Sequence, residues 1–432
     1  MIKRLLPKPV KSGLIVIKQK TYDQYKKKQL FAQMQKKHAS MLQDLKGKKK
    51  VKVVFLAIHK SVWKVDPVFK KMLADPLFEP EILVCPYTVY GEERMQQDMV
   101  LAYDYFSEKG YPVKKAKMDN GEWVKLKDLQ PDIVFFTNPH KLTREEYYEN
   151  AYLNYLSCYV PYHHEVGSYA DNIGQYNQLF HNALWKIFSS HQASYDLFKK
   201  TSPARAENVE LTGYPSMEDL LLKSQEGNYQ DVWKNKSSKL KVIWAPHHTI
   251  DDPALPYSNF LEYAKQFQEL ALRYRQEVAW AFKPHPILKS KLYSHPEWGK
   301  KKTDEFYGFW SENTFSQLEE GEYLDLFISS DIMIHDSGSF LAEYLYLNKP
   351  VMYLLSEENK GNYYTAFGIK ALAACEIGRS FDDVIKFLQG KLLDKSIVKP
   401  EHYHFLKDEV EPYFKDVEPS DKILGTLKDM IA

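Results

Sequence analysis

The stretch SSDIMIHDSGSFLAEYLYLNKPVMYL, from Ser329 to Leu354, joins two apolar runs through a polar break. The first run, Ile332 to Ile334, stops abruptly at the small and polar residues from His335 to Ser339. An amphipathic pattern then leads through Lys349-Pro350 into the second apolar run. Short apolar runs separated by a helical pattern are typical of the strand-helix-strand units of a parallel sheet.

The same alternation extends over most of the chain. One series of apolar runs lies at 51–58, 81–87, 111–116, 132–139, 156–164, 185–190 and 209–215, and a second begins at 240–248 and continues at 278–286. A polar segment separates the two series. The pattern therefore predicts an α/β protein with two Rossmann-like domains facing a cleft. The predicted parts are a basic N-terminal helical arm (1–50), a first domain (51–215), a connector (216–239), a second domain (240–399) and C-terminal helices (400–432).

Composition and missing motifs exclude several classes of protein. The 432 residues are 44% hydrophobic, which is enough for packed cores. Three scattered cysteines, Cys85, Cys158 and Cys375, do not form a disulfide framework or a cysteine zinc site. Neither G-x-G-x-x-G nor a Walker A motif occurs, which argues against dinucleotide oxidoreductases and P-loop enzymes. We find no signal-peptide core and no apolar run of about 20 residues, and we expect a cytoplasmic protein.

The N-terminal region carries a strong positive charge. Residues 1–60 hold 17 Lys and Arg against Asp23 and Asp44, a local balance of +15 in a chain whose net charge is +2. Helical spacing within residues 21–47 puts apolar side chains near one face, namely Leu30, Phe31, Met34, Met41, Leu42 and Leu45. We predict that Lys-rich residues 1–60 hold the protein on an anionic membrane surface, peripherally on the inner face of the cell membrane. A helix packed on the protein with solvated lysines is the alternative, and nucleic acid is disfavoured because interleaved aromatics are missing.

Polar residues follow the apolar runs repeatedly. They are His163-His164-Glu165, Ser189-Ser190-His191, Gly213-Tyr214-Pro215, His247-His248, Lys283-Pro284-His285-Pro286 and the group from His335 to Ser339. Ligands of open parallel sheets bind outside the carboxyl ends of the strands. We therefore expect the functional residues to lie in these groups.

The group after Ile334 suits a phosphate. Asp336 or Ser337 can cap a helix that starts near Gly338, and free N–H groups with small side chains, Ser339 included, leave room for an anion. Lys283 and His285 would add positive charge, and Glu343 could accept hydrogen bonds from ribose hydroxyls. With His247 and His248, these residues predict a nucleotide-diphosphate donor site in the second domain. The alternative is that DSGS is only a helix cap and KPHP only a stiff turn.

His163 and His164 are candidates for a general base in the first domain. An imidazole near its usual pKa of about 6.5 accepts a proton from an attacking hydroxyl at neutral pH. The alternative is one buried, hydrogen-bonded histidine beside a surface histidine. The histidine pairs do not follow a known metal-ligand spacing, so we predict neither a metal nor another cofactor.

Several segments in this order resemble the CDP-glycerol glycerophosphotransferase family, which includes the teichoic acid glycerol-phosphate and ribitol-phosphate polymerases. They lie between about residues 155 and 356 and read PYHHEVGSY, SSHQAS, LTGYPSMEDLL, VIWAPHHT, AFKPHP and the opening stretch. The resemblance implies a GT-B fold and transfer of an alditol phosphate from a CDP-activated donor to a glycan or lipid-linked glycan, in teichoic acid or capsule-type polymer synthesis. CMP would be released.

The resemblance also implies residue roles. His163 or His164 would act as base, His285 would bind or activate the phosphate, and residues 337–339 would hold phosphate oxygens. Residues 51–215 would then be the acceptor domain and 240–399 the nucleotide-donor domain. Two other functions remain open: a GT-B glycosyltransferase that uses a nucleotide sugar, and a non-catalytic nucleotide- or glycan-binding protein.

Overall fold

The computed structural model describes residues 8–168, 172–236, 239–356, 359 and 363–432, with side chains from residue 21 onward. The chain divides into two units. The first unit comprises residues 1–163, 170–215 and 417–432, and the second comprises residues 164–169 and 216–416. The first seven residues of the predicted arm and residues 237–238 of the predicted connector lie outside the described residues.

Each unit contains one sheet in which all the described pairings are parallel. The first sheet has the order β3-β2-β1-β4-β5-β6-β7 and the second has the order β10-β9-β8-β11-β12-β13. The strands of the first unit are β1 (Val51–Ala57), β2 (Phe78–Val84), β3 (Val113–Lys115), β4 (Ile133–Phe136), β5 (Leu156–Tyr159), β6 (Lys186–Ser189) and β7 (Val209–Leu211). Those of the second are β8 (Leu240–Ala245), β9 (Val278–Phe282), β10 (Ser316–Leu318), β11 (Ile332–His335), β12 (Val351–Leu354) and β13 (Glu376–Gly378).

Helices connect most of these strands. The α-helices are α1 (Lys8–Leu45), α2 (Asp66–Ala74), α3 (Glu92–Glu108), α4 (Leu126–Leu129), α5 (Glu149–Asn154), α6 (Ile173–Tyr176), α7 (Leu179–Ala183), α8 (Gln192–Thr201), α9 (Glu218–Glu226), α10 (Phe260–Arg273), α11 (Leu288–Ser294), α12 (Gly299–Glu312), α13 (Leu324–Ser329), α14 (Phe340–Glu343), α15 (Ala366–Ala374), α16 (Phe381–Leu393), α17 (Pro400–Phe405), α18 (Glu411–Phe414) and α19 (Pro419–Ile431). Short 3₁₀ turns lie at Lys60–Val62, Glu145–Tyr147, Pro215–Met217 and Tyr344–Leu347, and a π-helical turn lies at Leu406–Val410.

The central strands are apolar along nearly their whole length because helices cover both sheet faces. In β1 every residue except Lys52 is buried. The core of the second unit is built around Trp244, whose ring stacks on Phe267 with centroids 4.1 Å apart. Trp280 and Trp310 are also fully buried in this core. The continuous apolar runs of the sequence are thus the signature of strands buried on both sides.

Helix α1 packs on the first unit. Its predicted apolar face enters the core: Phe31, Met34 and Leu45 are buried, and Leu30, Met41 and Leu42 are partly buried against it. The helix contacts α7 and α19. The packing corresponds to the alternative in which the arm is a helix on the protein surface with solvated lysines. Among the described residues, no helix is both long enough and apolar enough to cross a membrane.

The division into units differs from the predicted boundaries at three places. Residues 164–168 belong to the second unit although they follow a strand of the first sheet. The predicted connector also joins the second unit, where Trp233 is buried and donates its indole N–H to Ser329 Oγ at 3.1 Å. The C-terminal helices separate, because α19 belongs to the first unit and packs on α2. These assignments depend on contacts between residues far apart in sequence.

Candidate active site

The second sheet reverses its strand order between β8 and β11, which are neighbours. From β8 the chain builds outward through β9 and β10, then returns to β11 on the other side of β8. Ligands of open α/β sheets bind at such a switch point, outside the carboxyl ends of the strands. His247 and His248 follow β8, and Asp336 to Ser339 follow β11. His285 follows β9, the other neighbour of β8.

Three histidines lie together at this switch point. The ring centroid of His248 lies 4.3 Å from that of His247 and 4.2 Å from that of His285. His247 is buried, whereas His248 and His285 are half-buried. Their potential ligand atoms lie within 4.8 Å of one another, so the cluster has the composition of a three-histidine metal site.

The low pKa values keep these rings neutral, the form in which an imidazole donates one N–H to a ligand oxygen or ligates a metal ion. Burial, followed by the positive charge of Lys291, lowers the pKa of His248 to about 4. Burial also lowers the pKa of His247 and His285, and the neighbouring imidazoles lower it further. The backbone N–H of Ile287 donates to His285 Nδ1 at 3.3 Å. The neutral His285 ring therefore carries its proton on Nε2 and offers an N–H donor, which suits a phosphate oxygen.

Asp336 holds the elements around the switch point together. Its Oδ1 accepts the backbone N–H of His247 at 2.6 Å, and its Oδ2 accepts the backbone N–H of Asn259 at 2.6 Å. The side-chain amide of Asn259 donates to the same Oδ2 at 3.3 Å. Burial raises the pKa of Asp336 to about 7, although these N–H groups favour the ionised form. Asp336 thus positions His247 and the start of α10 instead of capping a helix.

The residues after Asp336 form a short turn before α14. This helix has only four residues and begins at Phe340, with Ser339 as its N-cap residue and no side-chain cap. A helix this short has little dipole, so its N-terminus adds little attraction for an anion. The hydroxyls of Ser337 and Ser339 form no hydrogen bond within the part of the chain that the structure describes. They are donors that a ligand oxygen can use.

Gly338 is small for a packing reason. A Cβ atom at this position would lie 2.9 Å from Cε2 of the buried Tyr257 ring. The Tyr257 hydroxyl donates to the carbonyl oxygen of Tyr363 at 3.2 Å, which fixes the ring over the turn. We predicted that small side chains around Gly338 leave room for an anion. Next to Gly338 this space is filled by the Tyr257 ring.

Lys283 and Glu343 are both buried and make hydrogen bonds inside the second unit. The Lys283 ammonium donates to the carbonyl oxygen of Gly321 at 2.8 Å, and its positive charge lowers the pKa of His285. Glu343 accepts the Tyr323 hydroxyl at 2.7 Å. Lys283 thus acts on the histidine cluster mainly through its positive charge, because its ammonium is hydrogen-bonded to Gly321. Glu343 supports the fold of this region through Tyr323.

His164 is a buried residue of the second unit. A hydrogen bond of 3.1 Å joins its Nε2 to the Tyr346 hydroxyl, and its ring stacks on Phe367 with centroids 5.4 Å apart. The residues that follow it also bond within this unit. Val166 accepts the N–H of Thr365 at 2.8 Å, and Ser168 donates to Tyr363 at 2.8 Å. His164 thus helps to anchor residues 164–168, which we call the 164–168 segment, in the second unit.

His163 belongs to the first unit and is half-buried. Its ring packs edge-on against Tyr162, with centroids 4.5 Å apart. Tyr162 in turn contacts His140, which follows β4, the neighbour of β5. His163 and His140 thus lie near the same edge of the first sheet, where a parallel sheet presents its functional residues.

Sequence reasoning did not find Asn259, Tyr257, Tyr346 or His140. His140 had a signal, because it follows the apolar run at 132–139 as His163 follows the next run. Tyr346 had none: it lies 182 residues from His164 and only the tertiary structure joins them. Lys349 of the opening stretch proves structural, since its ammonium donates to the carbonyl oxygens of Phe327, Ile328 and Ser330 at the end of α13.

The two parallel sheets, each with its switch point, have the GT-B fold, as predicted. Solved structures with this fold include two variants of the wall teichoic acid polymerase TagF. The first shares 14% identity with this chain, has a TM-score of 0.56, and covers 94% of this chain and 93% of its own. The second shares 14% identity, has a TM-score of 0.57, and covers 90% of each chain.

A third solved structure with this fold has a different function. It is UDP-GlcNAc 2-epimerase from Methanocaldococcus jannaschii in complex with UDP-GlcNAc and UDP. It shares 14% identity, has a TM-score of 0.55, and covers 87% of this chain and 99% of that chain. Likeness at this identity establishes the fold and not the activity. No curated protein matches the sequence.

The sequence itself identifies the family. Residues 162–427, more than half of the chain, match the CDP-Glycerol:Poly(glycerophosphate) glycerophosphotransferase family. The chain therefore belongs to this family and is an enzyme of the glycerophosphotransferase type. The match begins at Tyr162, next to His163, and includes the switch-point residues of the second unit. The resemblance seen in the sequence is confirmed.

Proposed function

We propose that this enzyme transfers glycerol phosphate, or a related alditol phosphate, from a CDP-activated donor to a hydroxyl of a glycan or lipid-linked glycan, as a step of teichoic acid or capsule-type polymer synthesis. The family supports the type of transfer. The observation that carries the proposal is the set of uncharged donors at the switch point of the second sheet: the Nε2–H of His285 and the hydroxyls of Ser337 and Ser339.

These donors suit a pyrophosphate. Each can donate a hydrogen bond to a phosphate oxygen, and the positive charges of Lys283 and Lys291, which lower the pKa of His285, favour an anion at the same place. Fixed donors aimed at phosphoryl oxygens stabilise the charge that develops during transfer. Asp336 keeps His247 in position by accepting its backbone N–H.

The chemical step is a displacement at phosphorus. The acceptor hydroxyl oxygen forms a bond to the β-phosphorus of the donor, and the bond from that phosphorus to the bridging oxygen breaks. The bridging oxygen leaves with CMP, and the hydroxyl proton passes to a general base. The product is a phosphodiester, and no atom changes its oxidation state.

We assign the base to His163 and not to His164. His164 is 1% exposed and is held by Tyr346 and Phe367, so it has no access to an acceptor. His163 is half-buried and directly precedes the 164–168 segment. We expect His163→Ala to lower kcat about 10²- to 10⁴-fold, the usual contribution of general-base catalysis, with little loss of stability. His164→Ala should instead lower the free energy of unfolding by removing a buried ring.

Product analysis tests the proposal. The protein is incubated with CDP-glycerol, CDP-ribitol, UDP-sugars or CMP-sugars and a glycan acceptor, and the released nucleotide and the new bond are identified. We expect CMP and a phosphodiester from a CDP-alditol. Release of UDP with a glycosidic bond would overturn the proposal, because the chemistry would then occur at an anomeric carbon.

We also propose that the protein works on the inner face of the cell membrane, held by its Lys-rich residues 1–60. The apolar face of α1 is used for packing in the first unit, so the attraction would come from lysine charge rather than from insertion. Cosedimentation with vesicles is the test. Binding to vesicles with 30% anionic lipid, lost at high salt and absent with neutral lipid, is expected at roughly 1 kcal/mol per nearby lysine. Equal binding to both vesicle types would contradict it.

A further inference from the structure

A basic cleft lies in the first unit between α1 and the end of α8. Its volume is about 580 Å³, within the range of ligand clefts, and it is open to solvent. One wall is Gln24, Tyr25 and Lys28 of α1, and the other is formed by residues 199–203 and Arg205. Four cations line it, Lys28, Lys199, Lys200 and Arg205, and none of its lining residues is a carboxylate.

The four cations have no protein partner that explains them. All four side chains are exposed, and none forms an ion pair or hydrogen bond through its charged group with the residues described in the structure. Neighbouring lysines of α1 differ: Lys27 donates to the carbonyl oxygen of Asn177 at 2.5 Å, and Lys37 donates to that of Leu153 at 2.6 Å. Lys27 and Lys37 thus hold α1 against the rest of the first unit, whereas Lys28 lines the cleft.

The floor of the cleft is rigid because its polar groups are bonded to the protein. Ser202 Oγ donates to Asn182 Oδ1 at 2.8 Å, and the carbonyl oxygen of Thr201 accepts the side-chain amide of Asn177 at 2.7 Å. Arg205 follows in the left-handed region with φ 48°, an uncommon conformation for arginine. Its backbone N–H donates to the carbonyl oxygen of Ser202 at 3.0 Å. The fixed floor leaves the cations as the groups that a ligand would meet.

A purely structural role accounts for only part of this arrangement. Lys199 and Lys200 lie in the last turn of α8, where positive charge interacts favourably with the helix dipole. Lys28 lies on another helix and Arg205 beyond the end of α8, so the dipole does not explain their convergence on the same space. Like charges gathered without a counter-ion destabilise a surface unless an anion binds there.

We infer that this cleft binds a phosphodiester chain, the growing end region of the acceptor polymer, through successive phosphates. Cations on two opposite walls match a chain with several negative charges better than one phosphate. A planar lipid surface fits less well, because the four cations line the walls of a concave cleft. The identity of the chain rests on the proposed function, whereas the cleft and its charge do not.

Direct binding to a synthetic oligomer tests the inference. The probe is a fluorescent glycerol-phosphate hexamer, measured by anisotropy with the full chain in 50 mM NaCl. The cleft variant Lys28→Ala/Lys199→Ala/Lys200→Ala is compared with Lys46→Ala/Lys49→Ala/Lys50→Ala. The control removes the same charge from exposed lysines at the other end of the same basic arm. Thermal unfolding confirms that both variants are folded.

We expect the cleft variant to bind the hexamer about 100-fold more weakly, since each lysine near a phosphate surface changes affinity roughly fivefold. The control should lose less than about fivefold. The salt dependence of binding should also become shallower only in the cleft variant. Equal losses in both variants, or no loss in either, would overturn the inference. So would a cleft variant that loses binding to anionic vesicles or to inorganic phosphate but keeps the hexamer.

Turnover separates this inference from the proposed function. With CDP-glycerol and a short, uncharged acceptor, the cleft variant should release CMP at the wild-type rate, because its residues lie outside the transfer site. With a polymeric acceptor, its KM should rise while kcat stays near the wild-type value. Wild-type turnover without cleft-dependent hexamer binding would refute only the cleft, and cleft-dependent binding without CMP release would refute only the reaction.

Discussion

Replacing Gly368 with alanine tests how the 164–168 segment is seated. Gly368 lies in α15, and a Cβ atom added to it would lie 2.2 Å from the carbonyl oxygen of Val166. Because that oxygen belongs to the backbone and not to a flexible side chain, the segment would have to move by about 1 Å to restore van der Waals contact. His163, the proposed base, directly precedes the segment.

The expected change in stability follows from two hydrogen bonds. Displacing the segment breaks the bond from Thr365 N–H to Val166 and the bond from Ser168 N–H to Tyr363, both 2.8 Å long. Their loss costs about 2 kcal/mol, and residual crowding adds about 1 kcal/mol. The better helix propensity of alanine returns about 1 kcal/mol. Gly368→Ala should therefore lower the free energy of unfolding by about 2 kcal/mol.

A matched control is available on α16. Gly390 is also a helical glycine of the second unit, but a Cβ atom there meets nothing within 4 Å. Gly390→Ala should raise the free energy of unfolding by about 1 kcal/mol through helix propensity alone. The same substitution thus gives opposite signs at the two positions.

Two assays decide the outcome. Urea unfolding, followed by the buried Trp244 and Trp280 of the second unit, reports stability. The rate of CMP release reports the effect on the base, and we expect it to fall about 100-fold in Gly368→Ala, the effect of a shift of about 1 Å at a reacting group. If Gly368→Ala were as stable and as active as Gly390→Ala, the seating of the segment on α15 and its role in placing His163 would be refuted.

Three further substitutions probe the second unit by urea unfolding. Asp336→Asn should lower the free energy of unfolding by about 2–4 kcal/mol, since an amide cannot accept the N–H groups of both His247 and Asn259 with the geometry of the carboxylate, and an unchanged midpoint would contradict this role. Burial lowers the pKa of His335 to about 3. The stability that the neutral His335 ring provides is therefore complete above pH 6.5 and is lost as the pH falls from 6.5 towards 3, and the loss at pH 5 is about 2 kcal/mol. His335→Phe should therefore flatten the stability profile between pH 7 and 5, and an unaltered profile would argue against it. Lys349→Met should cost about 2–3 kcal/mol by leaving three carbonyl groups at the end of α13 without their donor, and wild-type stability would show that water replaces the ammonium.

The placement of several candidate site residues was predictable because parallel α/β sheets relate sequence order to position. A polar residue directly after an apolar run lies at the carboxyl edge of the sheet, so His247, His285 and Asp336 were found from local pattern alone. The same rule would have found His140 after β4. It does not reveal what each side chain contacts. Asp336, predicted as a helix cap and phosphate ligand, uses both carboxylate oxygens on backbone N–H groups of His247 and Asn259.

The sequence by itself determined the two strand-helix series, the order of the site residues and the family, because hydrophobic periodicity and short motifs are local properties of the chain. Only the tertiary structure decided which unit each segment joins. His164, next to His163 in sequence, is buried against Tyr346 and Phe367 of the second unit. The apolar face of α1 packs in the first unit instead of remaining available to a membrane. Such choices depend on the sum of many weak contacts between distant residues, and no local pattern records that sum.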